Sequence, residues 1–262
     1  MMLFGKTIVV TGVASGIGRR TAELAGQLGA EVIGIDRTRP DQTFGQFLEG
    51  DIGTADGVAA IVDALPDRLD GLCNVAGVSG NTGAANTLAI NFFGLRSLAT
   101  RLAPKLRDGG SVVNVASIAG YGWRDNAARA AAIARTDGFP DAAQIVKDHA
   151  IPNEAGYPVS KEILLVWTML AAHQDLFKSR GIRVNAVSPG PVDTPILTQF
   201  REVLGDARVN SDVDRVGRAG TAADIAPAIL FLCSDAARWI NGTNLATDGG
   251  LEAAITADAH SF

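Results

Sequence analysis

Short apolar runs rich in β-branched residues alternate along the chain with longer segments of helical periodicity. The apolar runs are uninterrupted enough to indicate strands buried on both faces of a parallel sheet. Strands are predicted at 6–12, 30–36, 70–77, 110–117, 181–190 and 242–250. Helices are predicted at 16–29, 54–69, 89–108, 160–180 and 221–235. The alternation predicts an α/β fold, a Rossmann-like doubly wound parallel sheet of about seven strands with helices on both faces.

The length of the chain and one interruption in the alternation of strands and helices predict the domain organisation. The chain has 262 residues, with no visible repeat and no linker rich in Pro, Gly and Ser. We predict one domain over residues 1–262. Between the fourth strand and Tyr157, two alanine-rich, helix-like pieces flank "DGFPD" (137–141). We predict that residues 121–153 form a helical hairpin inserted within this domain.

The composition argues against several functional classes. Hydrophobic residues make up 47% and charged residues 19%, as in a globular protein. The net charge is −5 without a basic run, which argues against nucleic-acid binding and a polybasic membrane anchor. The two cysteines and three histidines lack metal-ligand spacing, so no metal site is expected. No segment resembles a signal peptide, and the apolar run 163–172 is too short to span a bilayer. We therefore expect a cytoplasmic protein without nucleic-acid or membrane partners.

A glycine-rich loop, "TGVASGIG" (11–18), follows the first strand and opens the first helix. Gly12, Gly16 and Gly18 would permit a tight turn and close approach to a pyrophosphate. The helix that begins near Ser15 would present free N–H groups and the positive end of its dipole. Glycines in this strand–turn–helix context predict a dinucleotide-binding site.

Asp36 ends the second predicted strand. A carboxylate there can accept hydrogen bonds from the adenosine ribose and repels a 2′-phosphate, which favours NAD over NADP. Arg37 and Arg39 lie beside it and could hold a phosphate, so the strictness of this preference stays open.

Tyr157 and Lys161 are four residues apart in "EAGYPVSKEIL" (154–164), on one face of a predicted helix. A free phenol has a pKa of ~10, and a nearby ammonium together with a bound pyridinium favours the phenolate. Such a pair is often an ordinary surface contact. Beside a cofactor loop and a serine at a strand end, it instead predicts a general acid–base residue, whose pKa we expect to be lowered.

The ordered set of motifs from Thr11 to Gly250 resembles the short-chain dehydrogenase/reductase family. The set comprises "TGVASGIG", Asp36, "GDI" (50–52), "NVAG" (74–77), "NFFG" (91–94), "VASIAG" (115–120), "YPVSK" (157–161), "NAVSPGPVDT" (185–194) and "DGG" (248–250). The resemblance implies a catalytic tetrad of Asn91, Ser117, Tyr157 and Lys161.

The same resemblance implies which residues contact an NAD cofactor. Asp51 and Ile52 are expected at the adenine. The 74–77 segment is expected along the cofactor, and the 189–194 segment at the nicotinamide carboxamide. The full cofactor set is Gly12, Ser15, Gly16, Ile17, Gly18, Asp36, Asp51, Ile52, Asn74, Ala76, Gly77, Tyr157, Lys161, Pro189, Gly190, Val192 and Thr194.

Two departures from the family pattern and three segment lengths refine the resemblance. Val75 stands where the family usually has asparagine, and Pro158 is expected to bend or delay the helix that bears Tyr157. Short segments before Asp51 and before Asn91, and a long one between Ser117 and Tyr157, are similar to one bacterial branch. That branch contains 3α-hydroxysteroid dehydrogenase/carbonyl reductases and coniferyl-alcohol dehydrogenases.

The expected substrate is a small molecule with an apolar body. Trp123, Ile196, Leu197 and Phe200 suggest an apolar pocket, with 195–209 as a lid. A bulky, steroid-like ketone or secondary alcohol is the first expectation and a primary aryl-allylic alcohol the second. A 3-oxoacyl reductase and a non-catalytic NAD-binding sensor stay as alternatives. We also expect a homo-oligomer, with a homodimer favoured, formed through the last helix and strand because the insertion would cover the helices that bear Asn91 and Tyr157.

Overall fold

The fold is built on seven parallel strands in the order β3-β2-β1-β4-β5-β6-β9. The computed structural model describes residues 3–261, except for the side chains of residues 203 and 204, so residues 1, 2 and 262 of the predicted domain lie outside it. The strands are β1 Thr7–Thr11, β2 Glu31–Asp36, β3 Gln46–Glu49, β4 Leu69–Asn74, β5 Leu106–Val115, β6 Arg183–Pro189 and β9 Asn244–Thr247. A separate parallel pair, β7 Val192–Asp193 and β8 Gly220–Thr221, lies after β6. The predicted doubly wound sheet is confirmed.

Helices follow the strands and surround the sheet. They are α1 Gly16–Gln27, α2 Ala55–Ala64, α3 Ala84–Leu88, α4 Leu95–Leu102, α5 Ala127–Ala134, α6 Ala142–Asp148, α7 Gly156–Ala171, α8 Asp175–Lys178, α9 Pro195–Leu204, α10 Asp206–Val216, α11 Ala222–Cys233 and α12 Leu251–His260. Between α3 and α4 the residues Ala89–Gly94 form a π-helical turn. The helix predicted over 89–108 ends before β5, and the one predicted over 160–180 is divided into α7 and α8.

Side chains that alternate along the strands fill two apolar cores, one on each face of the sheet. Val9, Leu72 and Val112 face a core with α2, α4, α5 and α7. Ile8, Cys73 and Val113 face the opposite core with α1 and α11. Burial on both faces explains why the central strands read as uninterrupted apolar runs. The edge strand β3 is half-exposed, and its shorter QFLE pattern was not predicted as a strand.

The segment 121–153, predicted as a helical hairpin, contains α5 and α6. Helix α5 packs on α7, and α6 packs on α3. Arg96 of α4 is buried and donates to the backbone oxygens of Ala134, Thr136 and Gly138, which fixes the end of α5. Every residue of α7 is buried or partly buried, so this segment helps to cover the helix that carries Tyr157.

Pro158 does not delay α7. The helix begins at Gly156, two residues before the proline, and continues to Ala171. A proline in the first turn removes an N–H that would have had no intrahelical partner. The expectation of a delayed start was therefore wrong.

Candidate active site

A cavity of about 530 Å³ lies at the carboxyl ends of the strands, where the strand order reverses between β1 and β4. Ligands of open α/β sheets bind at this switch point. All but one of the predicted cofactor residues line the cavity: Gly12, Ser15, Gly16, Ile17, Gly18, Asp36, Asp51, Ile52, Ala76, Gly77, Tyr157, Lys161, Pro189, Gly190, Val192 and Thr194. Ser117 also lines it. The cavity therefore joins the glycine-rich loop to the predicted reacting groups.

The backbone around the glycine-rich loop leaves no room for a side chain at Gly16 or Gly18. A Cβ on Gly18 would lie 2.1 Å from the backbone oxygen of Gly12. Gly16 has a φ of +54°, and a Cβ there would come within 3.3 Å of Thr194. The first turn of α1 contains no acidic residue, so nothing in that turn opposes the positive end of the helix dipole. These features fit the pyrophosphate of a dinucleotide.

Asp36 lies at the cavity wall at the end of β2. Its Oδ2 accepts a hydrogen bond from the Ala14 N–H at 2.9 Å, and its Oδ1 accepts one from the Thr38 N–H at 3.1 Å. The carboxylate is thereby held against the glycine-rich loop, and each oxygen keeps a lone pair for another donor. Arg37 also lines the cavity, whereas Arg39 lies over the Phe47 ring, 5.0 Å from its centroid.

Asn74 is the exception among the predicted cofactor residues. It is fully buried, and its Nδ2 donates to the backbone oxygen of Leu95 and to Oδ1 of Asn114, its partner in the β4–β5 register. The side chain belongs to a polar network in the core, on the side of the sheet that faces α4 and α7. Its side chain does not line the cavity, because its direction is set by the position of Asn74 within β4.

Tyr157 and Lys161 occupy the first two turns of α7 and point to the same part of the cavity. Lys161 Nζ donates to the backbone oxygen of Val115 at 2.8 Å and lies 5.6 Å from the centroid of the Tyr157 ring. Ser117 begins the turn after β5, where its Oγ accepts from the Ala119 N–H at 3.1 Å, and its hydroxyl lies near enough to Tyr157 to lower the pKa of the phenol. The strand end and the helix thus bring a hydroxyl, a phenol and an amine together.

Burial dominates the acid–base properties of this trio. It raises the pKa of Tyr157 to about 12, an effect that the Ser117 hydrogen bond partly offsets. Burial also lowers the pKa of Lys161 to about 7, because a charged amine loses its hydration there. The predicted lowering of this pKa includes the charge of a bound pyridinium, so it stays a prediction for the cofactor-bound protein. At neutral pH the protein alone keeps Tyr157 protonated.

Asn91 lies in the π-helical turn, behind the cavity wall. It is fully buried; its Oδ1 accepts from the Val78 N–H at 2.8 Å, and its Nδ2 donates to the Val78 oxygen at 2.9 Å. Nδ2 also lies 3.3 Å from Ser160 Oγ. Unlike Ser117, Tyr157 and Lys161, Asn91 does not line the cavity. Its side chain instead supports the loop after β4.

The end of the cavity beyond Tyr157 is walled by the start of α9. Ile196, Leu197, Gln199 and Phe200 line it, and the Phe200 ring meets the Tyr157 ring edge-on with centroids 4.6 Å apart. Trp123, which was expected in this pocket, packs instead against the core under the guanidinium of Arg124. Gln199 was missed, since no motif marks a residue of this kind.

Comparison with known proteins identifies the family. The family described as short chain dehydrogenase matches residues 6–144, and the one described as Enoyl-(Acyl carrier protein) reductase matches residues 142–252. The chain is 38% identical over 251 residues to coniferyl-alcohol dehydrogenase of Pseudomonas sp. (strain HR199 / DSM 7063), with 96% of this chain and 98% of that protein covered. The chain belongs to the short-chain dehydrogenase/reductase family.

Two further relatives agree with the predicted branch. The 3-alpha-hydroxysteroid dehydrogenase/carbonyl reductase of Comamonas testosteroni is 28% identical over 265 residues, covering 95% of this chain and 97% of that protein. The crystal structure of 3-alpha-hydroxysteroid dehydrogenase from Pseudomonas sp. B-0831, complexed with NADH, superposes with a TM-score of 0.80 at 31% identity, covering 96% and 99% of the two chains. The resemblance inferred from the motifs is confirmed, and the protein is an oxidoreductase of this family.

Within residues 3–261, no group of three or more His, Cys, Asp or Glu side chains is placed to hold a metal ion. Within the same residues, the structure contains no helix long and apolar enough to cross a membrane.

Proposed function

We propose that the protein is an NAD(H)-dependent dehydrogenase that interconverts an alcohol and a carbonyl on an apolar small molecule. The observation that supports this most directly is the convergence of Ser117, Tyr157 and Lys161 at one end of the glycine-lined cavity. A dinucleotide-binding sensor would have no need of a phenol, a hydroxyl and an amine at that position, which argues against the non-catalytic alternative.

Each of the four predicted catalytic residues has a separate role in the proposed reaction. Tyr157 Oη donates a proton to the carbonyl oxygen in reduction and takes the hydroxyl proton in oxidation. Ser117 Oγ holds the same substrate oxygen by a hydrogen bond and stabilises the charge that develops there. When bound, the nicotinamide cofactor supplies or accepts the hydride, and its oxidised form adds positive charge to the cleft. Lys161 would hold the nicotinamide ribose, and Asn91 would keep the loop at Val78 in place.

The protonation states of Tyr157 and Lys161, without a bound cofactor, favour carbonyl reduction over alcohol oxidation. With a pKa of about 12, Tyr157 is a proton donor at neutral pH, which suits reduction of a carbonyl. Lys161, with a pKa of about 7, changes charge within the physiological range. Oxidation therefore requires more positive charge near Oη than Lys161 alone provides.

The position of Asp36 supports NAD as the preferred cofactor. Its carboxylate is fixed at the cavity wall by the N–H groups of Ala14 and Thr38, where the adenosine ribose of a dinucleotide would lie. A 2′-phosphate there would meet a negative charge. The same reasoning disfavours a carrier-linked 3-oxoacyl reductase, for which we expect NADP.

A primary aryl-allylic alcohol and its aldehyde are the substrate class that we favour. The 38% identity to a coniferyl-alcohol dehydrogenase supports it, as does the edge-on contact of Phe200 with Tyr157, which makes an aromatic wall beside the reacting group. A 3α-hydroxysteroid is the second candidate, supported by 31% identity to a 3-alpha-hydroxysteroid dehydrogenase over 96% of the chain. We place the enzyme in the cytoplasm.

The proposal is tested by a screen of NAD reduction with coniferyl and benzyl alcohols, 3α-hydroxysteroids and simple secondary alcohols. The aryl-allylic alcohols are expected to give the highest kcat/KM. A clear preference for the steroids would select the second candidate, and no NAD reduction with any alcohol would contradict the proposal.

A further inference from the structure

A hydrogen bond connects the two segments that lie against Tyr157. Ser79, in the loop after β4, donates from Oγ to Oε1 of Gln199 in α9 at 2.7 Å. The loop reaches Tyr157 at Gly80, where a Cβ would lie 3.1 Å from the tyrosine Cβ, and α9 reaches it through Phe200. Ser79 is 1% exposed, so it holds the carboxamide from a buried position.

This bond uses only one end of the Gln199 carboxamide. A glutamine has an acceptor oxygen and an NH2 group with two donor hydrogens. Ser79 occupies the oxygen, and among the side chains and backbone groups that the structure describes, the NH2 group has no hydrogen-bond partner. Gln199 lines the cavity, next to the aromatic wall formed by Phe200. An oriented donor is thus held beside the space where the body of the substrate lies.

We propose that Gln199 is a specificity-determining residue whose NH2 group donates a hydrogen bond to an oxygen on the body of the substrate, away from the reacting carbinol. The inference rests on the proposed function and narrows it to alcohols that carry such an oxygen, such as an ether or hydroxyl on an aryl ring. A hydrocarbon body would cover the donor without pairing it, and covering an unpaired donor costs enough to discriminate about tenfold in kcat/KM.

Two matched pairs of alcohols test this. The first is 4-methoxycinnamyl alcohol and 4-ethylcinnamyl alcohol, which are similar in size and differ in one acceptor oxygen. The second is a 3α-hydroxysteroid with and without a 17-keto group. The measured quantity is the ratio of kcat/KM within each pair, because a purely structural role of Gln199 would change both members alike.

Two variants distinguish the role of the Gln199 NH2 group from that of the oxygen that accepts the Ser79 hydrogen bond. Gln199→Glu keeps an acceptor for the Ser79 hydroxyl and removes the N–H donors, whereas Gln199→Met removes both. Thr198→Val is the control, since Thr198 is exposed on the same helix. Wild type and Thr198→Val are expected to favour the oxygen-bearing member about tenfold, and both Gln199 variants to bring the ratio close to one.

Other outcomes overturn the inference. A wild-type ratio near one, or an unchanged ratio in Gln199→Glu and Gln199→Met, would overturn it and leave the proposed function intact. An equal loss on both members would assign Gln199 a structural role. Turnover of neither pair by the wild type would reject the proposed function, and this inference with it.

Discussion

The side-chain nitrogen of Lys161 lies 5.6 Å from the centroid of the Tyr157 ring and donates its hydrogen bond to the backbone oxygen of Val115. The amine is therefore tied to the end of β5, beside the phenol, and has no acidic partner among the residues that the structure describes. This arrangement places the phenol, which we propose transfers the proton, and a titratable amine in the same part of the cavity.

Replacement of Tyr157 by phenylalanine tests the proton-transfer role. Tyr157→Phe removes the hydroxyl and keeps the ring that packs on Phe200, so we expect turnover to fall by about three orders of magnitude or more with NADH binding nearly unchanged. Steady-state kinetics and NADH titration measure the two effects. The other tyrosine provides the control: Tyr121 bonds Thr256 away from the cavity, and Tyr121→Phe should keep its activity. Substantial activity in Tyr157→Phe would remove this residue from the mechanism.

The lowered pKa of Lys161 predicts how stability depends on pH. The folded pKa is about 7, whereas an unfolded lysine titrates at ~10.4. Between these values the unfolded chain binds one more proton than the folded chain, so the free energy of unfolding should rise with pH by about 1.4 kcal/mol per unit relative to Lys161→Met. Below pH 7 both states are protonated, and the difference between the two proteins should be constant.

Urea unfolding of wild type and Lys161→Met at a series of pH values from 6 to about 9.5 measures this difference. Subtracting the variant removes contributions that the two proteins share. A difference that stays flat above pH 7, or that decreases, would show that Lys161 keeps its charge in the folded protein.

The negative charge of Asp36 is expected to determine the preference for NAD over NADP. We expect the wild type to use NAD with at least about tenfold higher kcat/KM than NADP, because the carboxylate repels a 2′-phosphate. Asp36→Asn removes the charge and retains an acceptor for the Ala14 N–H, so it should raise the relative efficiency with NADP while the loop keeps its shape. Both ratios come from kinetics with the two cofactors at equal substrate concentration. Equal efficiency of the wild type with both would contradict the prediction.

The sequence predicted those parts of the molecule that local patterns determine. The apolar strands, the glycine-rich loop and the Tyr157–Lys161 spacing depend on periods of two and four residues, which the sequence shows directly. The half-exposed strand β3 and the helix α12 lack a clear pattern of this kind. The helices α9 and α10 are amphipathic but were not predicted as helices.

The features of the site that the motifs did not show have the same origin. Asn74 turns into the core because it pairs with Asn114 across the sheet, a register that no single strand specifies. The raised pKa of Tyr157 reflects burial by the whole site, and the Ser79–Gln199 bond joins residues that are distant in sequence. The motifs therefore predicted most of the residues that line the cavity, whereas tertiary packing determines the surroundings of each side chain.

Exposed apolar side chains at and before β9 indicate the surface through which two copies of the chain associate. Trp239, between α11 and β9, is 97% exposed, and Leu245 of the edge strand β9 is 37% exposed. A large apolar side chain beside the end of a sheet is typical of an interface, whereas α7 is already covered along its length. We predict a homodimer through this face. Trp239→Asp should give a monomer in sedimentation velocity, while Phe4→Asp, at a residue 83% exposed near the start of β1, should leave the dimer intact. A dimer unaffected by Trp239→Asp, or a tetramer assembled through α7, would contradict this assignment.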